Sequence, residues 1–170
     1  MSNYSECLQQ AEWVNTTNMP SSQSIGHWLT LSTSLTKQLI THFGEIKVCV
    51  LAEYWVDELI ENEQQFFPKQ ENRLWCREVI LKHQAQPLIF ARTLIPVSLV
   101  NQHRELQQLG ERPLGEWLFM FPDRIRTKLE WTQDNATGLY ARRALMQIGQ
   151  ESMMVAELFL TPQIFTRTIT

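Results

Sequence analysis

Residues 73–96 constrain the fold more than any other stretch of the chain. Two runs rich in β-branched and aromatic residues flank a polar segment from His83 to Pro87, a pattern typical of an antiparallel hairpin. Side chains two apart in a strand share one face. On one such face each run is apolar except for a single arginine, Arg77 in the first strand and Arg92 in the second. We therefore expect a β-hairpin that carries two interior guanidinium groups.

The loop between the two strands decides whether these arginines meet. A two- or four-residue loop centred on Gln84 and Ala85 places Arg77 opposite Arg92, whereas a three-residue loop turns Arg92 to the other face. Like charges directly opposite destabilise a sheet, and a guanidinium cannot lose its proton to escape burial. Taking it out of water is costly unless an anion goes with it. A shared face therefore requires an anion, either a protein carboxylate or a bound ligand.

The first half of the chain predicts a helix and a strand ahead of this hairpin. Apolar residues recur every three or four positions from Trp28 to Phe43, which predicts one helix that ends at Gly44. Alternation over residues 46–56 predicts a strand. The acidic and polar residues 57–72 form a long connection, where a mobile or functional loop is expected.

The second half predicts two short helices and three more strands. The helices begin after Ser98 and after Pro113, and the strands cover residues 124–133, 139–148 and 152–161. Together these elements indicate an α+β fold, with a single antiparallel β-sheet of about six strands and helices against one face or end.

Length and composition indicate one domain and exclude several classes of function. Residues 1–26 are polar and are expected to form a loosely ordered lead-in, and residues 27–170 a single domain. The net charge of −3, without a basic block, argues against nucleic acid binding. No apolar run is long enough to span a membrane, no secretory signal is visible, and the three cysteines are scattered. We therefore expect a cytoplasmic protein, with a monomer as the default.

Known cofactor and metal motifs are not found in the sequence. The four histidines have no zinc-ligand spacing, and the chain lacks a P-loop, a dinucleotide-binding glycine motif and a nucleophile elbow. These observations favour binding or catalysis without a metal or cofactor.

Glu157 is the first candidate among the carboxylates. It lies in residues 153–160, the most apolar strand, where both faces are expected to be buried. A carboxylate in that setting must be paired, hydrogen-bonded or protonated. It is either a structural salt bridge to Arg77, Arg92, Arg142 or Arg143, or an acid that faces a cavity.

The remaining arginines predict a mixture of buried and exposed charges. Arg142 and Arg143 are adjacent in a strand and point to opposite sides, so one is expected to face solvent and the other the interior. Arg124, Arg126 and Lys128 alternate with less polar residues, which is typical of a solvent-exposed strand face. The interior cations still outnumber the acids near them, which favours a small anionic ligand, a carboxylate held by arginine forks.

Several segments together make the chain similar to the chorismate lyase family. They occur in the family's order over about residues 28–162, and they are TSLTK at 33–37, WCREVIL at 75–81, ARTLIP at 91–96, LGERPLGEWLF at 109–119, GLYARR at 138–143 and AELFLTP at 156–162. This coverage is far more specific than any single motif.

The resemblance implies a fold, a reaction and a site. The family converts chorismate into 4-hydroxybenzoate and pyruvate, the first step of ubiquinone synthesis in bacteria, in an internal pocket covered by helical flaps. By position, Arg77 is implied to bind the ring carboxylate, Glu157 to meet the 4-hydroxyl, and Leu114 to contribute a backbone N–H. Leu35 is implied to line the pocket, and Arg92 is a candidate for the side-chain carboxylate. This sequence has Leu35 where a known member has Met, and Ala91 where that member has Gly.

An alternative from another class shares the implied fold. The effector domains of some GntR-type transcription regulators resemble it and bind small molecules without converting them. Such regulators need a DNA-reading helix-turn-helix ahead of the sensor, and residues 1–26 are too short and too weakly charged to form one. We therefore expect an enzyme, with a non-catalytic sensing domain as the alternative.

Overall fold

A single antiparallel sheet forms the centre of the molecule, as the sequence predicted. The structure, a computed structural model, describes residues 3–67 and 73–170. Within these residues the sheet has seven strands in the order β1-β5-β6-β7-β4-β3-β2, and every neighbouring pair is antiparallel. The strands are β1 (Val14–Asn15), β2 (Lys47–Val56), β3 (Leu74–His83), β4 (Gln86–Pro96), β5 (Ile125–Gln133), β6 (Tyr140–Ile148) and β7 (Glu151–Phe159). The α+β fold class is confirmed.

The helices are short and lie between the strands. They are α1 (Tyr4–Gln10), α2 (Gln23–Thr30), α3 (Leu35–Phe43), α4 (Glu61–Phe66), α5 (Val97–Gln102) and α6 (Leu114–Leu118), with 3-10 turns at Arg104–Gln107 and Pro162–Thr166. Part of the long connection predicted at 57–72 is therefore helical, and its residues 68–72 lie outside the described part of the chain.

The N-terminal segment contains more regular structure than its composition indicated. Residues 3–26, predicted to be a loosely ordered lead-in, include α1, β1 and the start of α2. Leu8 is buried in a hydrophobic cluster beneath the sheet. The division of the chain at residue 26 stays a prediction.

The helix predicted from Trp28 to Phe43 is in fact two helices, so that prediction was wrong. α2 ends at Thr30, and the Ser34 side chain accepts a hydrogen bond from the Lys37 N–H at the start of α3. A serine at this position satisfies one of the backbone N–H groups that a helix leaves free at its start, which favours a new helix over continuation of the old one. The break at residues 31–34 lies against the sheet and becomes a wall of the site described below.

The two faces of the sheet pack against different helices. We call the face that carries Arg77, Thr93, Val155 and Ala144 the cavity face, and it is covered by α2, α3, α5 and α6 through two hydrophobic clusters. The opposite face, which carries Cys76, Phe90, Ala156 and Leu145, packs against α1 and α4. Helices therefore lie on both faces, whereas the sequence indicated one face or end.

A β-bulge in the central hairpin sets the register of Arg92. The loop has the two residues Gln84 and Ala85, since His83 pairs with Gln86. Beyond Lys82 and Pro87 the register shifts by one residue, so Arg92 pairs with Glu78 and not with Arg77. Proline has no N–H to give to the ladder and is found at bulges. The shared face for Arg77 and Arg92, open at the sequence level, is excluded by this bulge.

Candidate active site

A cavity of about 290 Å³ lies between the cavity face of the sheet and the segments that lead into α3 and α6. Its volume is close to the lower end of the range for small-molecule sites, about 300–1,000 Å³. The walls are largely apolar, with side chains such as Val48, Val79, Leu118 and Met146. A small number of polar groups point into this apolar space, which is typical of a ligand site.

Arg77 is the cation that β3 contributes to the cavity. The residue is only 2% exposed, and its Nη1 donates to Glu53 Oε1 of the neighbouring strand at 2.6 Å. Its Nη2 donates to the carbonyl oxygens of Gly110 and Arg112 at 2.7 and 3.2 Å. These contacts fix the guanidinium beside the cavity, where remaining N–H groups can serve a ligand.

Glu157 lies on β7 and forms an ion pair at the edge of the cavity. Arg142 Nε donates to Glu157 Oε1 at 2.9 Å, while Arg142 Nη1 donates to the carbonyl oxygens of Leu31 and Trp28 at 2.9 and 3.3 Å. Glu157 Oε2 accepts no hydrogen bond from a described residue. The two alternatives left open at the sequence level are therefore both realised, since Glu157 has a salt bridge and also lines the cavity.

Arg126 and Arg124 also line the cavity, so the prediction of a solvent-exposed face at these positions was wrong. A bulge in β5 between Arg126 and Lys128 sends these two side chains to opposite faces. Arg126 donates to the carbonyl oxygens of Leu31 and Thr30 at 2.9 and 3.1 Å. The Arg124 guanidinium stacks 3.8 Å from the centre of the Phe119 ring. Neither arginine has a carboxylate partner among the described residues.

The surroundings of Arg126 disfavour its positive charge. Burial, and then the positive charge of Arg142, lower the pKa of the Arg126 guanidinium, while Glu157 partly offsets these effects. An arginine nevertheless stays protonated at neutral pH. Its site therefore favours the arrival of a further negative charge.

Leu35 and Leu114 form the wall opposite the sheet. Each is the first residue of its helix, Leu35 of α3 and Leu114 of α6. The two helix starts lie side by side, because a Cβ built on Gly115 would be 3.9 Å from the side-chain oxygens of Ser34 and Thr36. The first N–H groups of a helix have no partner within it, so both starts can offer backbone donors to a ligand.

Arg92 is not a cavity residue, contrary to its predicted role in substrate binding. It lies on the opposite face, where Nε and Nη2 donate to the two carboxylate oxygens of Glu63 at 2.9 and 3.0 Å. Nη1 donates to Tyr54 Oη and to Cys76 Sγ at 3.0 and 2.9 Å. Burial acts to lower the pKa of Arg92, but its bonds to Glu63 raise that pKa above the ordinary value. The protein itself neutralises this cation.

Arg143 belongs to the same opposite face. It pairs with Glu130 at 2.7 Å, donates to the Asn62 carbonyl oxygen at 3.1 Å, and lies over the rings of Trp13 and Phe66. Both Arg142 and Arg143 are buried, so the expectation that one of them faces solvent was wrong. The sequence correctly indicated that they point to opposite sides.

The cavity is positively charged by two units. Four arginines line it, Arg77, Arg124, Arg126 and Arg142, against the single carboxylate of Glu157. Glu53, behind Arg77, adds a second carboxylate. Four positive and two negative charges leave an excess that suits a small dianion.

The described residues contain neither a cluster of metal ligands nor a helix that could span a membrane. Within residues 3–67 and 73–170, no group of three or more His, Cys, Asp and Glu side chains is placed to hold a metal ion. In the same part of the chain, no helix has the length and apolar character needed to cross a membrane.

The sequence-predicted residues divide between the two faces. Leu35, Arg77, Leu114 and Glu157 are brought together around the cavity, whereas Arg92 is separated from them by the sheet. Sequence reasoning missed Arg124 and Arg126 as cavity residues, because their alternation with less polar residues is also typical of a solvent-exposed strand face. It also assigned Lys128 to the same face, whereas a bulge sends Lys128 to the other. No signal in a single sequence marks that bulge.

An antiparallel sheet whose helices enclose a cationic cavity of small-molecule size places the chain in the α+β class. Comparison with solved structures agrees at the level of fold. PhnF from Mycobacterium smegmatis matches with a TM-score of 0.52 at 12% identity, covering 76% of this chain and 64% of that one. The ligand-binding domain of a putative GntR-family regulator from Bordetella bronchiseptica matches with a TM-score of 0.51 at 11% identity, covering 70% and 85%.

Sequence comparison identifies the family. The family model described as "Chorismate lyase" matches residues 7–170, and the chain belongs to this family. A "Probable chorismate pyruvate-lyase" of Pasteurella multocida is 69% identical over 169 residues, which cover 99% of each chain. A protein of the same description from Photobacterium profundum is 36% identical, covering 92% of this chain and 89% of its own. The "Chorismate pyruvate-lyase" of Escherichia coli (strain K12 / DH10B) is 34% identical, covering 78% and 80%.

Proposed function

We propose that this chain is a chorismate pyruvate-lyase, which converts chorismate into 4-hydroxybenzoate and pyruvate as the first step of ubiquinone synthesis. Family membership over residues 7–170 supports the reaction, as does 69% identity to a relative with this description. We expect the reaction to need no cofactor.

The observation that carries the proposal is the charge of the cavity. Chorismate is a dianion, with one carboxylate on its ring and one on its enolpyruvyl ether. A largely apolar cavity with four arginines and one glutamate in its wall suits such a molecule. Because aromatisation of the ring drives the reaction, the protein needs to supply little beyond orientation and charge stabilisation.

Four residues around the cavity have proposed roles. Arg77 holds the ring carboxylate, with its own position fixed by Glu53 and two backbone carbonyls. Glu157 meets the C4 hydroxyl through the oxygen that Arg142 does not occupy. Leu35 and Leu114 pack on the ring, and the backbone N–H of Leu114 serves as a hydrogen-bond donor. Arg92 has no part in this proposal, because Glu63 already neutralises it on the opposite face.

The chemistry is an elimination. The C4 proton leaves, the bond between C3 and the ether oxygen breaks, and the ring becomes aromatic. The departing enolpyruvate takes up one proton at its methylene carbon and becomes pyruvate, so that the atoms balance. The proton travels either through Glu157 or directly to the side-chain methylene.

We also propose a cytoplasmic monomer. Cys7, Cys49 and Cys76 are all free thiols in the structure, which is usual in a reducing compartment. The described cavity is lined by residues of one chain, so a single copy is sufficient to form the site. Light scattering on the purified protein tests the assembly state.

The function is tested by mixing purified protein with chorismate and following 4-hydroxybenzoate by its absorbance. We expect stoichiometric release of 4-hydroxybenzoate and pyruvate without added metal or cofactor. Tight binding of chorismate with no product would contradict the proposal and favour the sensing alternative.

The role of Glu157 is tested by the variant Glu157→Gln, which keeps the shape of the side chain and removes its charge. Loss of a hydrogen bond to a charged group costs about 1.5–3 kcal/mol, so kcat/KM should fall by roughly 10- to 150-fold. A variant that unfolds more easily but keeps its turnover would reduce Glu157 to the salt bridge with Arg142.

Solvent deuterium tests the direct proton route. In D2O, direct transfer from C4 to the side-chain methylene leaves the methyl group of pyruvate free of deuterium, so a methyl group that carries deuterium excludes the direct route. A methyl group free of deuterium means that the C4 proton arrived either directly or through Glu157 without exchange with solvent. Rapid quenching before mass spectrometry keeps pyruvate from exchanging on its own.

A further inference from the structure

Three of the four cavity arginines lie on strands to either side of the strand that carries Glu157. Arg77 lies on β3, two strands from β7, while Arg142 and Arg126 lie on β6 and β5 in the other direction. Neighbouring strands are about 4.8 Å apart, so the backbones of the two groups are roughly 14–19 Å apart. The long arginine side chains reach into the same cavity from its two sides. A molecule whose ring carboxylate meets Arg77 and whose hydroxyl meets Glu157 therefore has Arg142 and Arg126 beyond that hydroxyl.

Arg126 and Arg142 lie side by side. Both donate to one acceptor, the carbonyl oxygen of Leu31, and each of these bonds is 2.9 Å long. Glu157 accepts from Arg142, while Arg126 has no carboxylate partner among the residues that the structure describes. Two adjacent guanidinium groups thus have one carboxylate between them.

Arg126 keeps donors available for a ligand. Its bonds to the carbonyl oxygens of Leu31 and Thr30 need two of its five N–H groups, which leaves three. The same two bonds secure the end of α2 and the segment that leads to Leu35. An anion bound by Arg126 would therefore be linked to this wall of the cavity through one side chain.

A purely structural role is the competing explanation. Arginine side chains near a helix end commonly bond its last carbonyl groups. Arg142 already supplies two such bonds at α2, to the carbonyl oxygens of Trp28 and Leu31. Arg126 is a second, half-buried arginine at the same helix end, and it has no acidic partner among the described residues. Capping of α2 therefore does not by itself explain Arg126.

We propose that Arg126, next to Arg142, binds the carboxylate of the substrate's enolpyruvyl side chain and so distinguishes the substrate from the ring product. This inference rests on the proposed function. The enolpyruvyl ether is attached at C3, next to the C4 hydroxyl that Glu157 meets, and its bond to the ring points obliquely away from the ring carboxylate at C1. Its carboxylate can therefore reach the side of the cavity that Arg142 and Arg126 line. 4-Hydroxybenzoate lacks this carboxylate and makes no contact with Arg126.

The test compares Arg126→Gln with Lys128→Gln. Lys128 lies two residues away on the same strand and carries the same charge, but it contacts Phe66 on the opposite face. For each variant, kcat/KM is measured with chorismate and Kd is measured with 4-hydroxybenzoate. In Arg126→Gln we expect kcat/KM to fall at least tenfold while Kd for 4-hydroxybenzoate stays within twofold of the parent. Lys128→Gln should change neither quantity by more than twofold.

A structural role gives a different result. If Arg126 only secures α2, its loss disturbs the wall around both ligands, and chorismate and 4-hydroxybenzoate are weakened by the same factor. That outcome, or a kcat/KM within threefold of the parent, overturns the proposal. Arg126→Lys keeps the charge and should recover part of the loss for chorismate.

The inference and the proposed function can fail separately. If the parent protein binds chorismate without converting it, the proposed function fails, and the ratio of Kd values for chorismate and 4-hydroxybenzoate replaces kcat/KM. If Arg126→Gln weakens the binding of chorismate and leaves that of 4-hydroxybenzoate unchanged, the ratio changes and the assignment of Arg126 is still supported. An unchanged ratio overturns it.

Discussion

The two faces of the sheet handle buried arginines in opposite ways. On the opposite face, Arg92 is held by both oxygens of Glu63, and Glu78 lies 3.5 Å from its Nη1. On the cavity face, Arg126 has no carboxylate partner among the described residues. Arg142 pairs with Glu157, and that carboxylate also lines the cavity. Burial of a guanidinium is thus not by itself a sign of function. An incomplete set of counter-charges beside an open space is the informative observation.

The comparison predicts the largest loss of stability at Arg92. Replacing it by Met leaves Glu63 and Glu78 buried without their cation, so the free energy of unfolding should fall by about 3–5 kcal/mol. Denaturant unfolding measures this loss, and the double variant Arg92→Met with Glu63→Gln should recover part of it. The folded fraction should keep its kcat/KM within threefold. A larger loss of activity would mean that the two faces are not independent.

Arg77→Ala should instead lower activity. Removing one partner of a buried charge pair costs about 2–5 kcal/mol in transition-state binding, which is roughly a 30- to 4,000-fold loss of kcat/KM. Arg73→Ala is the matched control, because Arg73 lies just ahead of β3 and its side chain is 54% exposed. Steady-state kinetics on both variants, with circular dichroism to verify folding, decide the matter. Activity of Arg77→Ala within threefold of the parent removes this residue from the site.

A buried thiol on the opposite face should make the protein less stable at alkaline pH. Burial, only partly offset by the charge of Arg92, raises the pKa of Cys76 from 9.0 to about 11. The unfolded chain therefore loses this thiol proton at lower pH than the folded protein, so stability decreases as pH rises from 9 to 11. The contribution of Cys76 is about 2–3 kcal/mol. The free energy of unfolding, measured from pH 9 to 11, should decrease less steeply in Cys76→Ala than in the parent. Equal slopes in the two proteins would contradict the burial of the thiol.

The smallest expected effect concerns a single methyl group. Ala91 lines the cavity, and its replacement by Gly removes apolar contact with the ring. A methyl group contributes at most about 0.8 kcal/mol, so Kd for 4-hydroxybenzoate should rise by no more than roughly fourfold. Titration calorimetry can resolve this change. Ala156→Gly on the opposite face is the control and should leave Kd unaltered, whereas tighter product binding in Ala91→Gly would contradict the contact.

Much of the fold was readable because strand and helix periodicities are local. The hairpin at residues 73–96, the strands near 46–56 and 139–148, and the tight turn at Gly149 and Gln150 are all present in the structure. The break between α2 and α3 was not foreseen, although the serines and threonines at 30–36 weaken a helix. The Ser34 side chain caps the start of α3, so a local interaction places the break between the two helices.

The face of each arginine was harder to read. Strand alternation assigns faces correctly only while the register is unbroken, and a one-residue bulge reverses every side chain beyond it. The bulge after Pro87 moved Arg92 away from the cavity, and the bulge in β5 separated Arg126 from Lys128. At both places a bulge separated side chains that unbroken alternation puts on one face.

The sequence by itself determined the α+β class, the hairpin, the family and the identity of four cavity residues, Leu35, Arg77, Leu114 and Glu157. Tertiary structure alone decided which arginines meet a carboxylate from the protein and which are left facing the cavity. Composition and periodicity are properties of neighbours along the chain. Charge balance, in contrast, depends on which groups the register and the helix packing bring within a few ångströms of each other.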